Sequence, residues 1–152
     1  MALQITSSAF TEGGMIPEQY TCDGKDVSPD LTWSGIPEET RTLALICDDP
    51  DAPVGTWVHW VLFNIPAEET GLPAEVAPEA ELAGGAKHGI NDFQRLGYGG
   101  PCPPGGTHRY FFKLYALDIE LGLDSGATKS QVEEAIQGHI LDEGRLMGRY
   151  KR

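Results

Sequence analysis

At 152 residues, with 11 Lys and Arg against 23 Asp and Glu for a net charge of −12, the chain has the length of one domain and an acidic surface that repels phosphate backbones. This excludes general nucleic-acid binding and weakens attraction to anionic membranes, but leaves room for a local anion site made of backbone N–H groups and a few histidines. No apolar stretch approaches the roughly 18 residues of a membrane span, and Met1–Thr6 lacks the basic start and apolar core of a signal peptide, so the expectation is a soluble, cytoplasmic protein with no integral membrane segment.

Cys22, Cys47 and Cys102 are odd in number and form no CxxC, which reads as reduced thiols without a zinc or redox site. The 19 glycines and 11 prolines are scattered instead of gathered in a linker, as expected for one β-rich domain of many short elements over residues 1–152. Thr42–Cys47, Trp57–Ile65 and Arg109–Leu117 read as strands, rich in aromatic and branched residues and apolar on both faces, as in central strands covered on both sides. Glu68–Lys87 is a poorly patterned surface loop that returns to the body at His88–Phe93. Thr128-Lys129-Ser130-Gln131 matches a capping box, and Val132, Ala135 and Ile136 recur at helical spacing up to Gly138 at the C′ position. The tail His139–Leu146 is expected to add a turn or two of helix, and Met147–Arg152 an edge strand.

Two segments carry the chemistry, each a Pro/Gly-rich loop that leads into a strand opening near a histidine: Asp49-Pro50-Asp51-Ala52-Pro53 before Trp57-Val58-His59-Trp60, and Gly99-Gly100-Pro101-Cys102-Pro103-Pro104-Gly105-Gly106-Thr107 before His108-Arg109-Tyr110. Strand alternation puts His59 on a face with Trp57, Val61 and Phe63, and His108 with Tyr110, Phe112 and Leu114. If the strands lie side by side, the two imidazoles and the phenol converge near the Asp49–Pro53 loop and supply donors for a phosphate or carboxylate, with Gly97–Gly100 and Gly105-Gly106 admitting backbone N–H groups. One of Asp49 and Asp51 would orient a histidine and raise its pKa, and the other would pair with Arg109; spacing leaves open which does which. Trp33, Trp57 and Trp60 read as core or pocket wall, His139 as a helix-end charge, and His88 lies in an unpatterned region.

A nucleophile elbow, a P-loop, HExxH and a dinucleotide fingerprint are all absent from the sequence. Two catalytic alternatives rest on the same residues: a Cys102–His108 nucleophile, and a two-His, one-carboxylate metal site of Asp49, His59 and His108.

With these residues in view, the chain resembles the phosphatidylethanolamine-binding proteins of the compact prokaryotic type, a family that includes the Raf kinase inhibitor proteins of animals. The resemblance rests on Asp49-Pro50-Asp51-Ala52-Pro53, His59-Trp60, Gly100-Pro101 and Gly106-Thr107-His108-Arg109-Tyr110, and extends to Tyr20–Gly24, Ser28–Trp33, Asn64-Ile65-Pro66 and Gly138–Tyr150. It implies two antiparallel sheets in a β-sandwich with one or two short C-terminal helices, and a small cavity for phosphate, acetate or a phospholipid head group. It carries a ligand-binding set of Asp49, Pro53, His59, Gly100, Pro101, His108 and Tyr110, a cis bond before one of the prolines near the loop, and a homodimer. The chain departs from the animal members in a shorter Pro53–His59 connection and in lacking a long C-terminal extension, which argues against transferring kinase inhibition.

The resulting expectation is a non-enzymatic module for a small anion or phosphoryl head group, without cofactor or metal, in which Asp49 holds the histidines and Tyr110 with the Gly100-Pro101 turn shapes the wall. The alternatives are an interaction protein inhibiting a kinase or protease, and a hydrolase or metalloenzyme using Asp49, His59 and His108.

Overall fold

The computed structural model describes residues 2–152. Strands β1 (Gln4–Thr6), β2 (Leu31–Ser34) and β5 (Gly71–Leu72) form a small sheet in the order β1-β2-β5. Strands β3 (Thr42–Asp49), β4 (Trp57–Pro66), β6 (Lys87–His88), β7 (Thr107–Leu117) and β8 (Ile140–Lys151) form a larger one in the order β6-β4-β3-β7-β8. All named strand pairs are antiparallel. The fold is thus mostly β and contains one short helix, α1 (Lys129–Ile136).

The uninterrupted apolar runs of β3, β4 and β7 arise because the larger sheet is covered on both faces. Towards the small sheet, Leu43, Leu45, Trp60, Leu62, Phe112 and Leu114 pack with Ile5, Leu31 and Trp33. On the opposite face Ala44, Ile46, Val61 and Phe63 pack under Val132 and Ile136 of α1. The helix begins where the capping box places it: Thr128 Oγ1 accepts the Gln131 N–H, and Gln131 Oε1 accepts the Thr128 N–H. It ends before Gly138, whose φ of +80° is the left-handed conformation that suits a C′ glycine.

Four expectations are corrected. The tail His139–Leu146 adds no helix, because Ile140–Lys151 is one continuous strand paired with β7 along most of its length. Helical spacing is absent there; Leu146, Gly148 and Tyr150 alternate inward at period two. Among the described residues no peptide bond is cis, so the prolines around the loop are all in the trans form that X-Pro bonds ordinarily favour. Residues within Glu68–Lys87 contribute the two-residue strand β5 to the small sheet and Lys87 to β6. The cysteines are not all thiols: Cys22 and Cys102 form a disulfide, and Cys47 is free and buried.

That disulfide closes a long loop, with 80 residues of sequence separation, and constrains the unfolded chain more than the folded one. The double variant Cys22→Ser/Cys102→Ser is expected to lose about 2–4 kcal/mol of unfolding free energy. Urea denaturation of variant and parent would measure this, and addition of a reducing agent should weaken only the parent.

Candidate functional site

Strict alternation would send His59 to the same side as Val61 and Phe63, under α1. The structure does otherwise, because β4 carries an extra residue where Cys47 pairs with Trp60 and Asp48 pairs with Val58. His59 is that residue, and such a bulge reorients side chains at the cost of one break in the ladder. Its ring lies edge-on to Tyr110 with centroids 5.1 Å apart, and edge-on to Phe93 at 5.4 Å. Of the partners expected from alternation, Trp57 shares its pocket, while Val61 and Phe63 lie in the core under α1.

The bulge is secured by Gly99, whose N–H donates to the His59 carbonyl (2.9 Å) while its own carbonyl accepts the His59 Nδ1–H (2.7 Å). A Cβ at Gly99 would collide with the Phe93 ring, so the residue is glycine for want of space. Gly100 is equally crowded: its N–H donates to Asp26 Oδ1 at 2.7 Å, and a Cβ there would meet the Tyr20 carbonyl.

His108 and Tyr110 project from β7 on the face towards the small sheet. Asp49, at the end of β3, divides its carboxylate: Oδ1 accepts the Asp51 N–H (2.7 Å), tightening the turn, and Oδ2 accepts the His108 Nδ1–H (2.6 Å). Asp51 holds Arg109 through a pair of side-chain bonds, both 2.9 Å, and also accepts its backbone N–H. The division of labour left open by the spacing is therefore settled: Asp49 orients His108, and Asp51 anchors Arg109. His59 is oriented by a peptide carbonyl instead of by Asp49.

Asp49, His59, His108 and Tyr110 line a pocket of about 240 Å³ together with Ala52, Pro53, Val54, Trp57, Phe93, Cys102, Pro103 and Pro104. Five of the seven expected site residues, Asp49, Pro53, His59, His108 and Tyr110, are in this wall. Gly100 and Pro101 are not; they stand behind it, Gly100 bonded to Asp26 and the Pro101 carbonyl accepting the Cys22 N–H. Phe93, Val54, Pro103 and Pro104 are additions that the sequence does not assign to the site, while Cys102, a candidate nucleophile by sequence, enters it as part of the lip. The prolines beside Cys102 were the signal for a rigid lip, whereas nothing local marks Phe93.

The polar groups are unequal. Burial lowers the His59 pKa against the opposing pull of the Gly99 carbonyl and Asp49, which favours the neutral ring. With Nδ1–H committed to a carbonyl, that neutral ring has Nε2 as a lone-pair acceptor. The Tyr110 hydroxyl is buried without a hydrogen-bond partner among the described residues, and burial pushes its pKa well up, keeping it a donor. Cys102 is bonded to Cys22, so it offers no thiolate for a Cys–His nucleophile. Asp49, His59 and His108 do not assemble as a ligand set; no group of three or more His, Cys, Asp and Glu side chains among the described residues is arranged to hold a metal. His88 lies outside the pocket, fully buried, with Nδ1–H donating to the Glu79 carbonyl. His139 pairs with Asp118 on the surface.

Comparison with known proteins agrees with this architecture. The family model described as phosphatidylethanolamine-binding protein matches residues 6–151. A UPF0098 protein of Methanothermobacter thermautotrophicus is 53% identical over 150 residues, covering 99% of each chain, and one of Aquifex aeolicus is 50% identical over 99% of this chain and 89% of the relative. Among solved structures, a phosphatidylethanolamine-binding protein homologue from Chlamydia trachomatis superposes with a TM-score of 0.92 at 40% identity, covering 99% of this chain and 98% of that one. Escherichia coli YbcL, described as a member of the mammalian family, superposes with a TM-score of 0.91 at 35% identity, covering 100% and 99%.

Burial lowers the pKa of both His59 and His88 from the ordinary 6.5. Between the folded and unfolded values the unfolded chain binds more protons, so this contribution to stability is complete above about pH 6.5 and is lost as pH falls through the folded values. His88→Asn retains a donor for the Glu79 carbonyl but cannot titrate. Its unfolding free energy, measured by urea denaturation, should fall less steeply below pH 6.5 than that of the parent, by up to about 1.4 kcal/mol per pH unit. Equal slopes would remove His88 from the acid response.

Proposed function

The chain belongs to the phosphatidylethanolamine-binding protein family, and on that premise we propose that its pocket binds a small oxyanion or the phosphoryl head group of a phospholipid without transforming it. The observation that carries the reading is the unpartnered Tyr110 hydroxyl, buried in the same pocket as two imidazoles whose Nδ1 atoms are already committed. A buried hydroxyl without a partner costs about 1–3 kcal/mol, a penalty that a ligand oxygen would relieve. Apolar side chains of Trp57, Phe93 and Pro103 border the floor, and their low polarity strengthens each polar contact there. At about 240 Å³ the space is smaller than usual ligand pockets, which suits a head group and not a lipid with its acyl chains.

Phosphate or phosphoethanolamine at millimolar concentration should give saturable shifts of the His59 and His108 imidazole NMR signals while leaving those of His139 unmoved. Unmoved His59 and His108 signals would sink the reading. Tyr110→Phe separates ligand contact from folding: removal of an unsatisfied hydroxyl should leave the urea midpoint unchanged or slightly raised, while affinity falls about tenfold for one lost hydrogen bond. A variant that loses stability and keeps its affinity would assign the hydroxyl to the fold.

A further inference from the structure

Resting on the reading above, a narrower conclusion follows from which polar atoms of the floor donate and which accept. The Gly99 carbonyl can only accept, so the 2.7 Å contact makes His59 Nδ1 the donor and, in the neutral ring, leaves Nε2 as an acceptor. The Tyr110 hydroxyl has no hydrogen-bond partner among the described residues and can donate. His108 has its Nδ1–H bound by Asp49, so its remaining polar atom is also Nε2. Among the described residues no Lys or Arg lines the pocket, and Asp49 already places a carboxylate there. A fully deprotonated oxyanion would thus set one of its oxygens against a lone pair and add its charge beside a carboxylate. A ligand carrying one acidic proton avoids the first.

We propose that the pocket takes its oxyanion together with a proton, a P–OH group donating to His59 Nε2 while the anionic oxygens accept from Tyr110, and that it therefore selects protonated phosphoryl groups over sulfate. The charged and titratable groups around His59 are Asp48 and Asp49 on β3, His108 and Tyr110 on β7, and Asp92, whose carboxylate accepts the Val58 N–H. Cys102 is tied up in the disulfide. Burial holds the ring neutral against Asp48 and Asp49, which keeps Nε2 an acceptor near neutral pH.

Three probes separate this inference from the reading beneath it: inorganic phosphate, which keeps a P–OH at both pH 6 and pH 8; methyl phosphate, which loses its own as it ionises near about pH 6; and sulfate, which has none. By calorimetry at pH 8, inorganic phosphate should bind at least about tenfold tighter than sulfate, the cost of one unmet or opposed hydrogen bond. Methyl phosphate, taken as a ratio to inorganic phosphate, should gain about tenfold or more between pH 8 and pH 6 as its monoanion is restored. His59→Gln, which brings an N–H to that position, should narrow the phosphate-to-sulfate ratio to within about threefold if a matched acceptor sets it. Should that variant fail to fold, the wild-type methyl phosphate ratio decides alone. Sulfate binding as tightly as inorganic phosphate at pH 8, or a flat methyl phosphate ratio, overturns the proton-linked selectivity and leaves oxyanion binding standing. If no probe binds at millimolar concentration, the oxyanion reading fails and this inference with it.

Discussion

Everything at the site depends on one extra residue in β4. Because His59 has no partner of its own on β3, the ladder slips between Cys47 and Asp48, and the imidazole turns from the helix-covered face of the sheet towards Tyr110. A bulge leaves peptide groups unpaired, and those groups need other partners if they are buried. Gly99 supplies them, accepting from the ring and donating to the carbonyl of the same residue. The loop carrying Gly99 is held in turn by Asp26 through Gly100, by Tyr98 through the Tyr20 carbonyl, and by Cys22 through its disulfide to Cys102. Loop, bulge and pocket wall are thus one mechanical unit, and Phe93 can rest against both Trp57 and His59 because that unit is rigid.

The two histidines look equivalent as residues and are not equivalent as chemistry. His108 is set by a carboxylate that is itself locked into the turn after β3. His59 is set by a neutral carbonyl in a more apolar surrounding, where desolvation outweighs the nearby carboxylates and pulls its pKa down. A floor with one acceptor-like imidazole, one carboxylate-backed imidazole and a free phenol has a definite polarity of hydrogen bonding, which a symmetric pair of cations would lack.

Much of this could be read in the residues beforehand. The three central strands, the capping box that starts α1, the glycine that ends it and the convergence of His59, His108 and Tyr110 near Asp49 all come from local signals: runs of branched and aromatic residues, a side-chain cap, and loops rich in proline and glycine. What could not be read depends on pairing between distant segments. The bulge is a property of two strands in register, so alternation along β4 alone put His59 with Val61 and Phe63. Cys22 and Cys102 are brought together by the fold, with no spacing between them to betray it. Ile140–Lys151 mixes charged and apolar residues and becomes a strand because β7 offers it an edge along nearly its whole length. Phe93 enters the pocket only because Asn91 bends the chain, its Oδ1 accepting the Phe93 and Arg95 N–H groups.

The absence of Lys and Arg from the pocket lining has a consequence for an acidic chain. With a net charge of −12, long-range steering works against an incoming anion, and the guanidiniums beside the pocket each face a carboxylate: Arg109 is bound by Asp51, Arg95 pairs with Asp26 and Arg152 with Asp23. An oxyanion held here would be held by short-range, desolvated hydrogen bonds and not by a field of cations. Such contacts are screened little by salt, whereas the unfavourable approach through the acidic surface is screened strongly. Raising ionic strength should therefore speed association and leave dissociation nearly unchanged, the reverse of the pattern at a basic phosphate-binding surface, where salt weakens the complex. Under the proposed reading the pocket would trade reach for discrimination: it would not gather anions from a distance, and it would respond to where the protons and lone pairs of a ligand lie once it has arrived.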